Sequence, residues 1–296
     1  MQPTLAKRNR ERGGPSGMAA TLFRIATISV ITLPLLPYVM RFDLALLGRL
    51  SLRGPQRYRL LWPLTSWLRA LAKPSATTVG GSRVLALVAG VVLVVAGGLV
   101  LGVPAVEPIW PLALLVGARL ALAGAAPERL PCGPLRSRLW RDGLGATVVL
   151  ALALTGPAVL SRQSLAPIAG WLVLYQPLAL VVGSLAVSVD PFPSGEGDRR
   201  AGWHFQLLHG GGLLALLETS RYAWWFAGSA LLVTQFAPAV SWPWQLALVV
   251  VWMVAVLGLR HAYTESLYRR LDWRFWPLLT ILAAGSLAVT LMMWLS

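Results

Sequence analysis

The chain has 296 residues, of which 56% are hydrophobic and only 12% charged, about half the charged share of a soluble domain. Its mean hydropathy is +0.66, and stretches of about 20 apolar residues, long enough to cross a hydrocarbon core as helices, recur along it. A soluble enzyme is excluded, and so is a membrane barrel, whose strands of alternating polarity are not visible; what remains is an all-α integral membrane protein. The formal net charge of +15 does not argue for nucleic acid, because the cytoplasmic loops of membrane proteins retain Lys and Arg. Cys132 is the single cysteine, so an internal disulfide and a cysteine-rich cluster site are excluded as well.

In chain order, a basic tail (1 to 18) carries Lys7, Arg8, Arg10 and Arg12, and a single membrane domain (19 to 296) follows. No small-residue cleavage site follows the first apolar run, so no cleavable signal peptide is expected, and translation could begin at Met1 or Met18. Apolar runs fall near 19 to 40, 82 to 103, 107 to 126, 143 to 160, 167 to 189, 212 to 237, 243 to 260 and 275 to 295. They predict about eight transmembrane helices. The connections 41 to 83, 127 to 142, 190 to 211 and 260 to 274 hold nearly all the loop arginines, whereas the alternate connections contain only Arg162 as a basic residue. The first set is therefore predicted to face the cytoplasm, which puts both termini outside and sets the topology against the basic tail. No repeat of 20 to 50 residues and no pair of broken helices appears, which argues against a stand-alone carrier.

Between the first two runs, Leu60, Leu64, Trp67, Leu68 and Leu71 recur at helical spacing while Arg59, Ser66, Arg69 and Lys73 gather on another face. This pattern predicts an amphipathic helix over about 60–73, lying in the membrane interface after the first span. Pro63 fits only a first turn, which places the start near Trp62. Its basic residues suit lipid phosphates or an acidic partner protein.

Four ionisable side chains fall inside or at the lip of spans: Arg119, Asp142, Glu218 and Arg221. A charge at mid-membrane costs at least about 2.5–3.5 kcal/mol on insertion scales, so each should face a partner or a hydrated cavity. Glu218 and Arg221, three apart on one helix, read either as a structural ion pair or as a proton station with its counter-charge. Asp142 reads either as a helix N-terminal carboxylate favoured by the dipole or as a buried acid on a proton path. Tryptophans 62, 67, 110, 140, 171, 203, 242, 244, 273 and 276 lie near predicted span ends, as an interfacial belt would place them. The loop after the fifth run holds Asp190, Glu196, Asp198, Arg199, Arg200, His204 and His209, at spacings that match no metal-ligand pattern. No nucleophile elbow, phosphate loop or zinc motif is present.

Several stretches carry a resemblance, in the same order along the chain. Arg53-Gly54-Pro55 with Leu60-Leu61-Trp62-Pro63, Leu68-Arg69 and Lys73, then Trp140-Arg141-Asp142, Gly170-Trp171-x-x-Leu174-x-Gln176-Pro177, Asp190-Pro191-Phe192 with Gly195-Glu196-Gly197-Asp198, and Glu265-Ser266-x-x-Arg269-Arg270-Leu271-Asp272 together resemble one family. It comprises the membrane subunit that joins the two arms of respiratory complex I and the membrane-anchoring subunits of formate hydrogenlyase and energy-converting hydrogenases, of which this chain looks like a divergent member. Where quinone-reducing members have Glu-Thr-Asn-Arg, this chain has Ala186-Val187-Ser188-Val189. The resemblance therefore leans to the hydrogenase-like branch and away from a quinone site.

The resemblance implies a non-redox membrane subunit that binds no cofactor itself and lies in a bacterial or archaeal cytoplasmic membrane. Its implied partners are hydrogenase-like or dehydrogenase-like peripheral subunits with iron–sulfur centres, antiporter-like membrane subunits and lipid. Arg53, Arg57, Arg69, Lys73, Asp190, Glu196, Asp198, Arg199, Glu265, Arg269 and Arg270 would dock the electron-transfer arm; Asp142, Glu218, Arg221 and Arg119 would line a proton pathway coupled to redox work. The quinone-binding, arm-joining subunit of an NADH-quinone oxidoreductase and an independent transporter are the alternatives.

Overall fold

The computed structural model describes residues 15–50, 62–72, 80–103, 109–125, 133–162, 176–189, 212–237, 240–260, 271 and 274–295. Among them every regular element is helical. In chain order these are α1 (Pro15–Leu50), α2 (Trp62–Ala72), α3 (Gly80–Gly102), α4 (Ile109–Ala125), α5 (Gly133–Arg162), α6 (Pro177–Ser188), α7 (Gly212–Phe236), α8 (Trp242–Leu259) and α9 (Phe275–Leu295).

Proline marks where most of them begin. Pro15, Pro63, Pro111, Pro134, Pro177, Pro243 and Pro277 each stand in the first turn of a helix, where the missing N–H breaks no bond and the fixed φ already suits the helix. In the described residues the amphipathic helix opens at Trp62, with Pro63 in its first turn. Its Ser66 hydroxyl donates to the Pro63 carbonyl at 2.9 Å.

Two helices outrun the apolar stretches that predict them. α1 continues through Arg41 to Leu50, and α5 begins at Gly133, ten residues before its apolar run. Hydropathy marks the part of a helix that lipid covers, whereas backbone hydrogen bonds carry the helix on into polar surroundings. Among the described residues, four helices contain segments long and apolar enough to cross a membrane: Met18–Met40, Val84–Gly102, Trp242–Leu259 and Phe275–Met292; Ile109–Leu122 and Pro177–Ser188 are apolar but shorter. Large apolar side chains on these segments point outward, among them Phe23, Val30, Val91, Val251, Ile281 and Met292. This is the exterior of a multi-pass membrane protein.

The helix that carries Glu218 and Arg221 lies at the centre. α7 packs against α1 through α6 and α8, and every residue from Thr219 to Val233 is buried. Its tightest neighbour is α3, where a Cβ on Gly97 would come within 2.3 Å of the Phe226 ring, and where the Ser220 hydroxyl donates to the Ala86 carbonyl at 3.1 Å. Small residues let the two backbones approach, which is how helices gain dispersion contact in lipid. α5, α6 and α9 complete the bundle on the side away from α3.

Candidate functional site: a layer of arginine, acid and indole

On α7 the residues Glu218, Arg221, Tyr222 and Trp225 share one helical face by their spacing. The Arg221 guanidinium donates through Nη1 to Glu218 Oε2 at 3.1 Å and to Oε1 at 3.4 Å. Its Cζ also lies 5.2 Å from the Trp225 ring centroid and 5.8 Å from that of Tyr222. Tyr222 and Trp225 meet edge to face at 5.0 Å. A second cation, Arg260 at the C-terminal end of α8, sits 4.9 Å from the same indole. That end of a helix carries a partial negative charge, which favours a guanidinium there.

The neighbouring indole is used in the same way. Arg119 of α4 is buried, with its Cζ 4.1 Å from the Trp224 centroid, while Trp224 Nε1 donates to the Val187 carbonyl of α6 at 3.2 Å. The negative face of an indole stands in for lost water around a guanidinium, worth about 2 kcal/mol when the contact is desolvated. Arg119 also lies alongside Gly143 of α5. One residue earlier, Asp142 Oδ1 accepts from Trp276 Nε1 of α9 at 2.9 Å and lies 3.6 Å from Arg141 Nε. A Cβ on Gly145 would come within 2.3 Å of the Trp276 ring, so the indole reaches Asp142 only because that position has no side chain.

Arg119, Asp142, Val187, Glu218, Arg260 and Trp276 all lie near the ends of their helices that adjoin 126–132, 190–211 and 261–274. The layer is therefore set towards one end of the bundle, the end from which the predicted cytoplasmic connections leave. It joins α4 through α9, and α2 is bonded to it as well: Trp67 Nε1 donates to Thr219 Oγ1 at 2.7 Å, and the Thr219 hydroxyl donates to the Ala215 carbonyl at 2.7 Å. Trp67→Phe keeps an aromatic ring, though a smaller one, and loses that bond. It is expected to lower thermal stability by about 1 kcal/mol, with Thr219→Val adding little on top when the double variant is melted.

The structure thus brings together the four residues predicted from their cost in lipid. Glu218 and Arg221 are in contact as an ion pair, which fits both readings of their spacing. Asp142 differs from one expectation: it lies in the third turn of α5, since the helix begins at Gly133, and so is not a first-turn carboxylate held by the helix dipole, which acts only within that turn. Arg69 is exposed on α2, free of the interior. Arg53, Arg57, Lys73, Asp190, Glu196, Asp198, Arg199, Glu265, Arg269 and Arg270 lie outside the described residues. Among the described residues, no group of three His, Cys, Asp or Glu side chains could hold a metal ion.

Arg260, Trp224, Trp225 and the role of Trp276 are not foreseen from the sequence. Charge counting places Arg260 in a loop, yet it is buried. A signal for the others exists in Arg221-Tyr222-Ala223-Trp224-Trp225, because paired tryptophans within a span depart from the belt pattern. Trp110 and Trp244, by contrast, are exposed as belt residues should be.

A bundle of apolar helices around a charged central helix is the class of multi-pass membrane protein defined here. Its fold is similar to that of a chain in the membrane-bound sulfane sulfur reductase, an archaeal respiratory membrane complex, with a TM-score of 0.67 and 20% identity over 91% of this chain and 99% of that chain. No family model and no curated protein matches the sequence. At that identity the likeness establishes the fold.

Proposed function

We propose that the chain is a non-redox membrane subunit of an assembly built like complex I and the energy-converting hydrogenases. The observation that carries this reading is the end-to-end likeness of fold to a chain of a respiratory membrane complex. All eight apolar runs cross the bilayer on this reading, with the polar layer on the cytoplasmic side of a bacterial or archaeal membrane. The basic face of α2 and the loops beside the layer dock a peripheral electron-transfer arm with iron–sulfur centres. Buried acids then start an ion path that continues into antiporter-like neighbours, and the chain itself holds no cofactor.

The layer supports this chemically. Glu218 and Asp142 are carboxyls placed among guanidiniums and indoles towards one end of the bundle, where a proton can arrive from water and where a charge in the interior has a counter-charge to move against. Purifying the tagged chain from membranes in mild detergent tests the assembly: iron–sulfur subunits should copurify. A solitary monomer that moves an ion or solute when reconstituted alone would overturn it. In the intact complex, Glu218→Gln is expected to leave electron transfer running and abolish the ion movement linked to it, read as loss of the electrochemical gradient in sealed vesicles.

A further inference from the structure

α2 lies against the bundle by one face. Leu64, Trp67 and Leu71, at helical spacing, are half-buried, while Thr65, Leu68, Arg69 and Ala72 are exposed. The helix packs on α1 and α7.

Its contact with α7 is directional. Trp67 Nε1 donates to Thr219 Oγ1 at 2.7 Å. The Thr219 hydroxyl gives its own proton to the Ala215 carbonyl, so towards the indole its oxygen can only accept. An apolar side chain could fill the same space, but an N–H aimed at a buried hydroxyl also fixes the rotation and height of α2 against α7, because a hydrogen bond weakens steeply out of line.

The residue held in this way adjoins Glu218. Consecutive helical residues point about 100° apart, and three in a row here are bonded to three different groups: Glu218 to Arg221, Thr219 to Trp67 of α2, and Ser220 to the Ala86 carbonyl of α3. The turn that carries the carboxyl is thus gripped between a span and an amphipathic helix whose other face is exposed.

We propose that Trp67 is a positioning residue for ion coupling: its indole N–H holds the Glu218 turn in register with α2, so that a partner seated on the exposed face of α2 shifts that turn through it. This rests on the assembly reading above, in which the arm docks on α2 and Glu218 opens the ion path.

The test uses the whole complex in sealed vesicles from its host, with electron transfer and the membrane potential it builds measured together and the ratio taken per assembled complex. Trp67→Phe and Thr219→Val remove the bond from opposite sides, so either one tests it if the other fails to assemble. Each is expected to lower the ratio at least about twofold, with no further loss in the double variant, while Thr219→Ser, which keeps the hydroxyl, retains the ratio. Ser220→Ala loosens the same turn on its α3 side and should leave the ratio unchanged. The proposal is overturned if Trp67→Phe and Thr219→Val keep the full ratio while Glu218→Gln abolishes it, or if Ser220→Ala lowers the ratio as far as they do, which would make the bond merely structural. Should Glu218→Gln itself leave the ratio intact, the assembly reading falls and the proposal with it.

Discussion

Arg221→Met is expected to lose stability by about 3 kcal/mol, near the lower end of what removing one partner of a buried ion pair costs. The substitution keeps most of the side-chain volume but leaves the Glu218 carboxylate without the guanidinium that donates to it at 3.1 Å. It also removes a cation from the faces of Trp225 and Tyr222. The estimate stays at the lower end because the Glu218 side chain is 24% exposed and keeps some access to polar surroundings. Adding Glu218→Gln removes the orphaned charge and should restore about half of the loss, since a matched neutral pair is often nearly as stable as the ion pair it replaces. Melting the single and double variants in detergent decides the matter. A double variant less stable than Arg221→Met would show that the carboxylate is held by something other than Arg221.

Gly145→Ala should have a comparable effect by a different route. The added methyl would fall within 2.3 Å of the Trp276 ring, which is buried between α5 and α9 and backed by Phe275 at 5.2 Å. Overpacking of this kind costs about 1–3 kcal/mol. If the indole moves aside, its bond to Asp142 goes with it, at about 1.5–3 kcal/mol for a hydrogen bond to a charged group. The two terms are not additive, since one displacement produces both. Trp276→Phe supplies the comparison, because it loses the N–H and keeps a smaller aromatic ring in place. If coupling depends on where Asp142 points, both variants impair it, while a variant of an outward residue such as Ile281→Leu leaves it intact.

Much of the fold follows from hydropathy and proline placement. Each apolar run overlaps a described helix, the run 167–189 only from 176 onward, and Pro63 falls in the first turn of α2. The four costly charges are legible for the same reason, because a charge within an apolar run is conspicuous without any knowledge of its surroundings. What the sequence does not carry is partnership. Trp276 and Asp142 are 134 residues apart, and a tryptophan at a span end looks like a belt anchor whether it faces headgroups or a carboxylate. Arg260 follows an apolar run directly, so charge counting assigns it to the loop, although a long stem at a helix C-terminus can turn inward onto an indole. Asp142 looks like the opening of a span because hydropathy reports lipid-covered length rather than helix length.

The central position of α7 has a consequence for how the protein is made. Its sequence, with Glu218, Arg221 and two tryptophans, is not among the segments apolar enough to cross a membrane unaided. Yet its neighbours bury every residue from Thr219 to Val233. Its contacts with α3 and α8 are therefore expected to matter for assembly, and a chain truncated before α8 should be an early target for membrane quality control.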